Sequence, residues 1–121
     1  MSIMKIGIET VGIGVAALLV GCATEPPVRE RSETASAAIR AAGELGAGKV
    51  PSASLYLQLA KEESEHAKGM IADGEREHAA SYLMRAEADA DLAVALARED
   101  ADRAEADQAQ RRVQEMRKLT P

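Results

Sequence analysis

Ala79-Ala80-Ser81-Tyr82-Leu83-Met84-Arg85-Ala86-Glu87-Ala88-Asp89-Ala90-Asp91-Leu92-Ala93-Val94-Ala95-Leu96-Ala97 is the stretch whose reading decides the fold. Ala79, Tyr82, Leu83, Ala86, Ala90, Ala93, Val94 and Ala97 recur every third or fourth residue and fall on one face of a helix; Ala101 and Ala104 extend the stripe. Glu87, Asp91, Arg98, Asp102 and Glu105 lie on the opposite, solvated face. No glycine or proline intervenes between Glu75 and Pro121, so the spacing predicts one helix of roughly 60 Å at 1.5 Å per residue.

Upstream, Asp73-Gly74 stops a second helix, because glycine accepts the left-handed conformation that ends helices. That helix is predicted from Pro51 or Ser52 to Ala72, with Leu55, Tyr56, Leu59, Ala60, Ala67, Met70 and Ile71 on its apolar face. The short turn makes the pair an antiparallel hairpin. A shorter first helix is expected from Ser32 to about Leu45, burying Ala35, Ala38, Ile39, Ala42 and Leu45. Residues 22–31 read as a tether, since two prolines among charged neighbours oppose regular structure. The fold class is all-α over 32–121.

Phe and Trp are absent, Tyr occurs only at 56 and 82, and the apolar content is dominated by alanine. Alanine favours helix but buries little area, so thin, elongated packing is expected, completed by self-association or a partner. The net charge of −5, unchanged when Lys5 and Glu9 are set aside, opposes nucleic-acid binding.

Leu19-Val20-Gly21-Cys22 holds the chain's single cysteine and follows the apolar run Val11–Val20, itself preceded by Lys5. That run is too short to span a bilayer and reads as a secretory signal over 1–21, starting at Met1 or, given Glu9, at Met4. Leu-Val-Gly-Cys resembles the bacterial lipobox. The resemblance implies cleavage between Gly21 and Cys22, a diacylglycerol on the Cys22 thiol and an N-acyl chain on the new terminus. Several acyl chains meet the requirement for stable anchoring. Ala23, where an aspartate would favour inner-membrane retention, points to the outer membrane, facing the periplasm.

Ala79-x-x-x-Leu83-x-x-Ala86 is similar to the second helix of a tetratricopeptide unit, without that repeat's aromatic and proline marks or a second copy. Ala37-Ala38-Ile39-Arg40-Ala41-Ala42-Gly43, Val50-Pro51, Leu55–Glu62 and Arg85–Ala93 together resemble the alanine-rich small bacterial lipoproteins grouped as domain of unknown function 4398. That resemblance implies an envelope location and a helical fold, and no activity.

Glu63-Ser64-Glu65-His66 and Glu75-Arg76-Glu77-His78 both read Glu-x-x-His, the spacing of di-metal carboxylate sites in bundles. Glu63, His66, Glu75 and His78 are therefore candidate metal ligands. The set is incomplete, because such sites need further carboxylates and the first helix offers only Glu33 and Glu44. No serine has a nucleophile's context, and Gly43, Gly46 and Gly48 lack the strand–loop–helix setting of a phosphate cradle, so catalysis is not expected and no cofactor is implied beyond the acyl chains. Ala97, Ala101, Val113, Met116 and Leu119 are the candidate contacts to another envelope protein or a second copy. The expected role is that of a structural or adaptor lipoprotein, with metal or small-ligand binding as the alternative.

Overall fold

Two glycines with positive φ, Gly46 (78°) and Gly74 (85°), punctuate the described chain, residues 26–120 of the computed structural model. They separate α1 (Val28–Glu44), α2 (Pro51–Ala72) and α3 (Arg76–Leu119); a single 3-10 turn at Ala47–Lys49 lies between α1 and α2. No strand occurs among the described residues. At Gly74 the turn closes with two bonds, Glu75 N–H to the Met70 carbonyl (2.9 Å) and Gly74 N–H to the Ile71 carbonyl (3.1 Å). They satisfy carbonyls that the end of α2 would otherwise leave unpaired. Pro51 occupies the first turn of α2, where a missing N–H is harmless.

The first helix starts at Val28 rather than Ser32, so it takes in residues expected in the tether. Pro27 is the reason: its φ of −60° and extended ψ of 148° set it as the residue before the helix, and its carbonyl accepts from Arg31 N–H at 3.2 Å. The prolines therefore start the helix instead of delaying it.

Eleven of the thirteen buried apolar residues among those described are alanines, so the helices pack through small side chains at close range. On α2 the buried positions are Ala53, Leu57, Ala60, Ser64 and Ala67; on α3 they are Ala79, Leu83, Ala86, Ala90, Ala93 and Ala97. Both sets alternate steps of four and three, the seam of an antiparallel coiled coil. One core cluster joins Ala35 to Ala67, Ala79, Leu83 and Ala86; the other joins Ala42 to Ala53, Leu57, Ala93 and Ala97. Hence α1 lies along α3 in the same direction and against α2 in the opposite one. Its N-terminal end sits by the α2–α3 turn, where Pro27 and Val28 line a groove with Ile71 and Arg76.

The face predicted for α2 holds in part: Ala60 and Ala67 are buried, and Tyr56, Met70 and Ile71 pack against the core. Leu55, however, is 57% exposed and Leu59 36%, whereas Leu57 and Ser64 are buried. The seam follows the face that carries Ala53, Ala60 and Ala67, which takes in Leu57 and leaves Leu55 and Leu59 outside. Leu45, expected in the core, is also exposed, because α1 has ended at Glu44.

Two substitutions check the seam. Ala86→Leu should destabilise by about 1–3 kcal/mol through overpacking, while Leu55→Ala should change stability by less than about 0.5 kcal/mol, as exposed substitutions do. Urea unfolding followed by circular dichroism reads both; a larger loss from Leu55→Ala would restore the α2 face predicted from sequence.

Candidate functional site

The antiparallel register of α2 and α3 brings Glu63 and His66 opposite Arg85 and Tyr82. Arg85 Nη2 donates to Glu63 Oε1 at 2.9 Å. The same guanidinium lies 4.4 Å above the Tyr82 ring, whose other neighbour is the His66 imidazole, with centroids 4.8 Å apart and planes tilted by 41°. An arginine over an aromatic face is held by the ring quadrupole as well as by its ion pair. Four side chains from two helices thus form one clamp on the flank of the hairpin.

Glu63 is the strained member. Its side chain is only 17% exposed, and Oε2 is buried with no hydrogen-bond donor among the described residues. Burial is the main cause that raises its pKa above the ordinary 4.5; Arg85 opposes the rise and the Asp89 carboxylate adds to it. Asp89 pairs with Glu63 only when a proton lies between the two carboxyls.

The second Glu-x-x-His behaves differently. Glu75 precedes α3, and His78 Nδ1 lies 3.1 Å from Glu75 Oε2 in an exposed local pair. The four predicted ligands therefore divide between the flank clamp and the turn. Among the described residues, no group of three or more His, Cys, Asp or Glu side chains is arranged to hold a metal ion. The partners Tyr82, Arg85 and Asp89 escaped sequence reasoning, although their spacing of three and four already placed them along one flank of α3.

The predicted partner surface also divides. Ala97 is 4% exposed, buried against α1 and α2 in the second core cluster, and is not available for docking. From Arg98 onward every described residue of α3 is exposed, including Ala101, Val113 (42%), Met116 (59%) and Leu119 (83%). The C-terminal half of this 44-residue helix is therefore an overhang with no intramolecular contact face. At 100° per residue Val113 sits about 120° round from Ala101, so the apolar residues of the overhang do not continue the seam as one stripe.

Gly21, Cys22 and the signal reading over 1–21 lie outside the described residues. No described helix is long and apolar enough to cross a membrane. No family model matches the chain, and no curated protein or solved structure matches it.

Folding favours the protonated form of Glu63, so the stability it contributes is fully present below about pH 4.5 and falls as pH rises through its raised pKa. Glu63→Gln keeps an acceptor for Arg85 and gives Asp89 a donor. Thermal melts between pH 4 and 8 should show that variant about 2–5 °C more stable at neutral pH and unchanged at pH 4. A lower neutral-pH Tm would mean that the Arg85 ion pair outweighs the cost of burial.

Proposed function

We propose that the chain is a lipid-anchored envelope protein, held in the outer membrane and facing the periplasm, with a non-catalytic structural or adaptor role exercised through α3. The observation that carries this reading is the overhang beyond Ala97. Its exposed Val113, Met116 and Leu119 present apolar surface that a partner would cover. The lipobox and the resemblance to alanine-rich lipoproteins supply the anchor and the compartment.

The arrangement of the helices suits such a role. Cys22 lies a few residues before Val28, and the N-terminal end of α1 sits beside the α2–α3 turn. The overhang leaves the bundle at the other end. An acylated Cys22 would thus hold one end at the bilayer while the overhang reaches about 33 Å beyond the bundle, away from the anchor.

The test joins both parts. A clickable fatty acid should label the wild-type chain, and Cys22→Ala should lose the label and leave the membrane fraction. A photoreactive residue at Ala101, Val113 or Met116 should give a discrete protein adduct in intact cells, whereas the buried Ala97 position should give none. Absence of label would remove the anchor, and absence of adducts at all exposed positions would remove the adaptor role.

A further inference from the structure

The overhang is electrically divided. Its first part carries five acids, Glu99, Asp100, Asp102, Glu105 and Asp107, against Arg98 and Arg103, a net charge of −3. Its last part carries Arg111, Arg112, Arg117 and Lys118 against Glu115, a net charge of +3. Arg117 and Lys118 in the last turn also complement the helix dipole, but that effect fades within one turn and does not account for Arg111, Arg112 or the acidic part. Among the described residues, Glu99 is the acid of this part that forms an ion pair, to Arg103.

We propose that the overhang pairs antiparallel with the overhang of a second copy of this chain. Antiparallel pairing sets −3 against +3 at both ends of the overlap. A two-fold axis near Ala109 makes the interface self-complementary, so each segment is both donor and acceptor of the match. Parallel pairing would set like charge on like along the whole overlap. An anionic bilayer is a poorer occupant, because it would repel the acidic part. This inference rests on the reading of the overhang as a partner-binding segment and names the partner. The two N-terminal ends then stand at opposite ends of a rod of about 100 Å, with each α3 about 66 Å long and half overlapped, and the rod lies along the bilayer so that both anchors enter the same membrane.

Two differently tagged versions of the entire chain, one carrying Asp100→Cys and the other Lys118→Cys, are co-expressed and treated in intact cells with a short thiol-to-thiol crosslinker. Versions without the added cysteine control for Cys22. Both positions are exposed and away from the core, so the fold is retained. The antiparallel pair gives mixed-tag adducts in excess over same-tag ones. Arg117→Glu with Lys118→Glu in the version that carries Asp100→Cys lowers their yield about tenfold, since like charges then face each other. Asp100→Lys with Asp102→Lys in the version that carries Lys118→Cys, against that reversed partner, restores it. Dominant same-tag adducts, or a yield indifferent to charge reversal, overturn the inference. Absence of self-adducts while a photoreactive residue at Met116 captures a different protein overturns it too, yet leaves the adaptor reading standing; capture of nothing by either method removes both.

Discussion

Close approach of backbones through alanine is the constraint on which the rest of this structure depends. With Leu57 and Leu83 as the only larger apolar residues buried in the seam, α1, α2 and α3 pack as near to one another as small side chains allow. Each alanine contributes little buried area, so stability comes from many shallow contacts along the seam. One consequence is steric. Little room is left for bulky residues beside Leu57 and Leu83, and Leu55, Leu59, Met84 and Leu92 are exposed. Another is that polar side chains take over on the flank, where Arg85 spans from the Tyr82 ring to Glu63 and ties the two long helices together.

The seam also sets where the bundle stops. Beyond Ala97, α3 has outrun both the C-terminal end of α1 at Glu44 and the N-terminal end of α2 at Pro51. Its helical propensity carries it on, since Ala101, Ala104, Ala106 and Ala109 alternate with charged residues and no breaker intervenes. A single helix therefore has two halves of different kinds. The first is held by tertiary contacts, and the second by propensity and local ion pairs such as Arg103 with Glu99. That division turns a small helical bundle into a body with a projecting arm.

The helices themselves were legible because their stop signals are local. Gly74 needs a positive φ, Pro51 suits a first turn, and the run after Glu75 has nothing to interrupt it. The phase of α2 was legible only in part: Ala60, Ala67, Tyr56, Met70 and Ile71 face the core as predicted, but the choice among its leucines was not. Leu55, Leu57 and Leu59 alternate, and hydrophobicity alone ranks them equally, whereas the seam admits only the face that carries Ala53, Ala60 and Ala67. Glu63 was visible as a carboxylate near an apolar stripe. Its partners were not, because Arg85 and Asp89 meet it through the register between helices, which a local pattern does not encode. The charge asymmetry of the overhang stands openly in the sequence, but it acquires meaning only once α3 is seen to leave the bundle at Ala97.

The most direct test of this account is amide hydrogen exchange along α3, read residue by residue in dilute protein and again at high concentration. A helix held by the seam only as far as Ala97 shows strong protection from about Ala79 to Ala97 and a sharp fall beyond Arg98 at dilution. Protection of the overhang then rises with concentration as copies pair. Uniform protection along the whole of α3, independent of concentration, would contradict the account, because the C-terminal half would then be stabilised within a single chain.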